Sequence, residues 1–153
     1  MNIRREKIMN NIDKKEFDKM PNPSISARLT VYVDGEFDKK EIENAFGLKA
    51  KFCKQKSEMK ISPITNKKPS GYITFCAKEQ QTRNENDVVL PMIDYLYEKK
   101  DSILAIESKY NARFSFLVEV LLNSFKDSTL NLSLDYIKKL QELHFALEHE
   151  IEF

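Results

Sequence analysis

Two histidines, two cysteines and a run of glutamates are the residue types here that most readily do chemistry. His144 and His149 stand near the end of the chain among Glu148, Glu150 and Glu152, with Cys53 and Cys76 far upstream. All are metal-ligating types. Yet an odd spacing along a strand sets the two histidines on opposite faces, and neither a CxxC nor an HExxH accompanies them. Both histidines therefore read as structural or surface residues. A cysteine nucleophile needs a histidine brought to it in space, and no local pattern points to such a pair. Cys76 falls in an apolar stretch and reads as a small buried thiol. Glu107-x-Lys109, with Asp94 upstream, has the types that metal-dependent nucleases use to hold Mg²⁺ and orient water. Those enzymes carry them on neighbouring strands, whereas all three here fall in one expected helix, so the match is accidental. Only three glycines occur in the chain, which argues against a phosphate loop built on clustered glycine. The expectation is a protein with no catalytic residue, no bound metal and no cofactor or nucleotide.

Two charged groups remain. The connector from Lys49 to Lys68 holds Lys49, Lys51, Lys54, Lys56, Lys60, Lys67 and Lys68, with Phe52 among them. Phosphate contacts and base stacking can be built from such residues, although a lysine-rich, solvated loop has the same composition. At the other end, Glu148, Glu150 and Glu152 share one face of a strand. Like charges in a row cost stability. They can guard a sheet edge against unwanted pairing or offer a docking face to a basic partner.

The elements that must position these groups are legible from periodicity. Ala27, Leu29, Val31 and Val33 alternate with Arg28, Thr30 and Tyr32, which predicts a half-buried strand. A short helix follows with three boundary signals. Asp38 and Glu41 form a capping-box pair, Phe37 and Ile42 a hydrophobic staple, and Gly47 a left-handed stop that folds Leu48 back towards Ile42. Gly71 to Ala77 reads as a second strand. One long helix is expected from Asn86 or Asp87 to about Lys109, its stripe made by Val89, Met92, Ile93, Leu96, Tyr97, Ile103 and Leu104. Ala112 to Leu122 alternates again. Leu130 and Leu132 mark a short strand, Ser133 caps a helix bearing Leu134, Ile137, Leu140 and Leu143, and the last ten residues alternate as a final strand. The predicted order is β-α-β-α-β-β-α-β. It implies an α+β fold, with an antiparallel-rich sheet, helices packed on one face and ferredoxin-like elements.

Residues 1–24 read as a polar leader, helical or mobile, and 25–153 as a single domain. A length of 153 residues suits one core rather than two. With 41% hydrophobic and 32% charged residues the chain reads as globular. The N-terminal stretch lacks the apolar segment of a secretory signal, no stretch reaches a membrane span, and two cysteines suit a reducing compartment. A cytoplasmic location is expected. The net charge of +1 falls short of the positive excess usual in nucleic-acid binders.

The pattern "ARLTVYVDGEFDKKEIENAFGLKA" resembles the opening strand and D-x-x-E-I helix of a bacterial domain-of-unknown-function family, number 4279. "SGYITFCAK" is similar to its second strand, with Tyr72 where the family often has tryptophan. "LPMIDYLYEKKDSILAI" fits its long helix, and "LSLDYIKKLQELHFALEHEIEF" its closing helix and strand. The resemblance covers about Ala27 to Phe153. It offers no catalytic residue to carry over. Members of the family occur among immunity proteins of bacterial toxin systems. The resemblance therefore implies a non-enzymatic protein that neutralises a cognate toxin, with a basic nuclease as a natural partner for the glutamate row. The alternative is a nucleic-acid-associated protein working through the Lys49–Lys68 connector.

Overall fold

In the computed structural model, residues 13–153 are described. The first twelve residues of the expected leader lie outside them. The elements run α1 (Lys14–Lys19), β1 (Ser24–Val33), α2 (Lys39–Phe46), β2 (Phe52–Lys54), a 3-10 turn (Lys56–Glu58), β3 (Gly71–Cys76), β4 (Gln80–Gln81), α3 (Asn86–Tyr97), α4 (Lys100–Tyr110), β5 (Arg113–Leu121), α5 (Leu134–Glu142) and β6 (Phe145–Glu152). The fold is α+β. Its sheet is ordered β2-β3-β1-β5-β6, with β4 beside the start of β1. Every pairing is antiparallel except β5 with β6, which is parallel. Helix α5 is the crossover that lets β6 return in the same direction as β5.

One face of the sheet makes the core. Ile25, Leu29 and Val31 of β1, Ile73 and Phe75 of β3, and Phe116 and Val118 of β5 are buried there. The helices close over them with Ile42 and Phe46, Val89, Ile93 and Leu96, Ile103, and Leu143. Phe46 stacks on Phe75 with ring centroids 5.0 Å apart, and Phe114 meets Phe46 edge-on at 5.7 Å. These offset and edge contacts add specificity to the apolar burial.

Several expectations need correction. The expected strand at Leu130 and Leu132 does not form. A single parallel bridge, Asn84 to Thr129, stands just ahead of it. The Lys49–Lys68 connector is not an unstructured loop, because Phe52 to Lys54 pair with Thr74 to Tyr72 as the border strand β2. The expected single helix is two. The Lys99 amide bonds the Leu96 carbonyl at 2.9 Å, and Lys99 leaves helical geometry at φ −105°, ψ 18°. The break resets the phase, so Ile106, not Leu104, joins Ile103 in the core. Leu104 is only half-buried. The observed order is therefore α-β-α-β-β-β-α-α-β-α-β, and the sheet order above replaces the ferredoxin-like expectation as the description of this chain.

The opening helix keeps most of its expected boundaries. Asp38 Oδ1 accepts from the amides of Lys40 and Glu41, and Gly47 sits at φ 66°. The Leu48 amide closes back on the Glu43 carbonyl at 3.2 Å. The reciprocal half of the capping box is not made. The Asp38 amide donates instead to Tyr110 Oη at 3.2 Å, and Glu41 is drawn off to Lys109 Nζ at 2.6 Å. The described part of the leader is held down: the Arg83 guanidinium and the Lys126 ammonium both pack over the Phe17 ring, at 5.4 and 5.1 Å from its centroid. Among the described residues, no helix is long and apolar enough to cross a membrane.

Candidate functional site: the uncovered face of the sheet

Among the described residues the helices cover one side of the sheet only, and strand alternation sends every second residue to the other side. Cross-strand partners share a face, so the register lays out that second face in rows. Tyr72, Tyr32 and Arg113 form one row, and Phe52, Thr74, Thr30 and Ser115 the next. Cys76, Arg28, Leu117 and Glu148 follow, then Ser26, Glu119 and Glu150, and finally Leu121 and Glu152.

The first rows line a concavity of ≈ 610 Å³, walled by Met59 and Pro69 of the connector. That volume lies within the range of about 300–1,000 Å³ usual for ligand sites, but this one is an open basin rather than an enclosed pocket. Its floor is tied together by Thr30 and Thr74, whose hydroxyls are 3.1 Å apart. At its rim the Arg113 guanidinium stacks over Tyr32 at 5.7 Å and donates to Ser70 Oγ at 3.3 Å. Among the described residues Arg113 makes no ion pair. The nearby Asp34 is engaged by Lys56 Nζ at 2.8 Å, a bond that, with the Lys56 charge, holds the Asp34 carboxyl below its ordinary range. Exposed Phe52 and Tyr32, with half-buried Tyr72 between them and Arg28 and Arg113 beside them, make this half of the face aromatic and mainly positive, and Glu148 reaches the edge of the same concavity.

The other half is acidic. Glu148, Glu150 and Glu152 all project from β6 on this side and are exposed. Glu119 stands opposite Glu150, and its charge is met by an ion pair with Arg28. That pair marks the boundary between the two halves. The sequence-predicted glutamates are thus brought together as expected. The cationic basin beside them could not be assembled from sequence, because Arg28, Tyr32, Tyr72 and Arg113 belong to three strands. Alternation did place Arg28 and Tyr32 outward on β1.

The other candidate groups separate. His144 precedes β6 at φ 58°, with Nδ1 2.8 Å from Glu107. His149 faces the helix side, where Nε2 lies 2.6 Å from the Glu85 carboxylate. Glu85 is 1% exposed and also accepts from Ser128 Oγ at 2.8 Å. This half-buried link between β6 and the start of α3 left no sequence signal. Among the described residues, no group of three or more metal-ligating side chains comes together. Asp94, Glu107 and Lys109 do not converge. Asp94 holds Lys139 at 2.9 Å and Tyr136 Oη at 2.8 Å, and Glu107 and Lys109 are bound as already described. Both cysteines are free, and burial raises both thiol pKa values, which disfavours the reactive thiolate. Cys76 is not in the core as expected. Ile73 and Phe75 take the inward phase, so Cys76 turns outward opposite Arg28, while Cys53 packs against the core.

The lysines of the connector are partly committed to the fold. Lys56 bonds Asp34 as noted, Lys68 donates to the Ser57 carbonyl at 3.3 Å, and Lys51 lies over the Phe52 ring at 5.8 Å.

The sequence pattern of a family described as a domain of unknown function (DUF4279) matches residues 23–153, and the chain belongs to that family. No curated protein and no solved structure matches the chain.

Proposed function

We propose that this DUF4279 member is a non-enzymatic binding protein, an immunity protein that neutralises a cognate bacterial toxin by covering it in the cytoplasm. The observation that carries the reading is the charge division of the uncovered sheet face, an aromatic and cationic basin on one side and a glutamate row on the other. The hydrogen-bonded ladder fixes the spacing at which these side chains leave the backbone, so the face presents a two-signed pattern in fixed register. Such patterns raise encounter rates with a complementary partner and fix its orientation. The family resemblance supports the same reading. A basic nuclease toxin, which must bind phosphates, is the partner that the glutamate row fits.

The test is to read the gene immediately upstream for a terminal toxin domain, to co-express that domain with this chain, and to follow association kinetics of the purified pair. The wild type should protect growth and form a complex. Replacing Glu148, Glu150 and Glu152 together by glutamine slows association about tenfold at low salt, with a smaller effect at moderate ionic strength, as charge steering is screened. No protection and no complex would overturn the reading.

A second reading, nucleic-acid association, draws support from Phe52, Tyr72 and Tyr32 on neighbouring strands with Lys51 and Lys54 beside them, since single strands stack on such platforms. Tight, steeply salt-dependent binding of a single-stranded oligonucleotide, abolished by Phe52→Ala, would favour it over the toxin reading.

A further inference from the structure

We infer that β6 is a strand-addition site: the partner adds a strand to this sheet edge, one that alternates basic residues with apolar ones. This rests on the toxin-binding reading and specifies how the partner is engaged.

Strand β6 ends the sheet order and, among the described residues, pairs with β5 alone. The opposite border, β2, is only three residues long. β6 pairs without interruption from Phe145 to Glu152, and seven of its eight residues are exposed. A long, regular border strand offers a row of backbone donors and acceptors to an incoming strand. Proteins commonly blunt such borders with charged side chains, proline or a bulge; β6 has neither proline nor bulge, and its glutamates repel a strand of like charge while leaving the edge open to a basic one. What it has is a different pattern on each side. Glu148, Glu150 and Glu152 point to the uncovered face. On the helix side Leu147 and Ile151 flank His149, whose ring is engaged by Glu85, and they remain 40% and 52% exposed; Ile137, on the helix that packs over β6, is 49% exposed. Apolar side chains left half in water along an unpaired edge gain burial when that edge is extended.

The same pattern selects the occupant. A second copy pairing β6 to β6 sets glutamates against glutamates, and like charges across a ladder are destabilising. A strand with lysine or arginine at those positions and valine, leucine or isoleucine between them meets both faces of β6. Side-chain alternation then gives specificity while the backbone ladder gives attachment.

The experiment uses the full chain and a capped peptide of alternating lysine and valine, observed by amide chemical shifts and hydrogen exchange. Saturable binding should protect β6 amides and leave β2 amides unchanged. Two further peptides carry N-methyl groups on one or the other alternate set of amides. Only one set faces β6, so one of these peptides should fail and the other should bind. A glutamate–valine peptide should fail, and the Glu148→Gln, Glu150→Gln, Glu152→Gln variant should bind the lysine peptide about tenfold more weakly, given the usual worth of three cross-strand charge pairs. No saturable binding, equal binding by both methylated peptides, or protection confined to β1 and β3 would overturn the inference. So would β6 protection that grows with protein concentration without peptide, which would make a second copy the occupant. A toxin that binds while β6 amides stay unprotected in the complex would overturn strand addition and leave the immunity reading standing. Peptide addition at β6 with no toxin binding would do the reverse.

Discussion

Ile42 is the residue on which the opening helix is set. It is fully buried, at the N4 position of a helix whose cap and left-handed stop fix both ends. Ile42→Ala removes apolar atoms from a site that α2 and β1 cannot close, because both are held by their own hydrogen bonds. The expected loss is about 2–4 kcal/mol, measured by chemical denaturation, and a loss below about 0.5 kcal/mol would show the site to be far less packed. Asp94 acts differently, by joining α3 to α5 through Lys139 and Tyr136. The hydrogen bond from Lys139 leads the causes that lower its pKa below 3.8. A depressed carboxylate contributes stability above its unfolded pKa and loses it as pH falls through the folded one. Asp94→Asn should therefore cost less than about 1 kcal/mol at neutral pH, since solvent screens a half-exposed pair. The gap between the two proteins should close below pH 3.8. Thermal melts across that window test this, and a gap that persists in acid would contradict it.

At the scale of elements, β2 depends on a close approach at Gly71. A Cβ there would stand 2.7 Å from the Lys56 amide nitrogen and 2.8 Å from the Lys54 carbonyl oxygen. Both are backbone atoms that cannot swing aside. Gly71→Ala should push the 3-10 turn away and loosen β2, with faster exchange of Cys53 and Lys54 amides while β1 and β5 stay protected. Unchanged exchange would show that the turn has slack. Gly47→Ala meets a different obstacle. A Cβ there would stand 2.3 Å from the end of the Lys99 side chain, which can move, but φ 66° strains any residue with a side chain. A loss of about 1–2 kcal/mol is expected by denaturant titration.

For the whole molecule, the charge division of the uncovered face should separate two opposite effects on one partner. Arg113→Gln removes a positive charge from the basin half, at a residue that is exposed and, among the described residues, without an ion pair. The fold should be retained, because the stacked Tyr32 and the ladder remain. Association with a basic toxin should become faster, whereas the glutamate-to-glutamine triple variant becomes slower. Both changes should shrink with salt, since both act through the long-range field. Stopped-flow rates for the two variants decide it: changes of the same sign would mean that the face does not act as a divided field.

Strand β1, with its inward Leu29 and Val31, and helix α2, with Asp38 and Gly47, were determined by the sequence itself. Alternation and capping act within a few residues and need no partner. The outward row of Glu148, Glu150 and Glu152 was legible for the same reason. The break at Lys99 was not, because Tyr95, Lys99 and Ser102 suit a continuing helix locally. It is the packing of α4 on α2, with Ser102 Oγ donating to the Ala45 carbonyl at 2.6 Å, that goes with the turn. The border strand β2 was hidden among the connector's lysines, since a three-residue strand has too few residues to show a period and is specified mainly by pairing with β3. The basin and the link from buried Glu85 to His149 required residues far apart in the chain to meet. Only the tertiary structure decides such meetings, because they follow from strand order and register, which no single segment encodes.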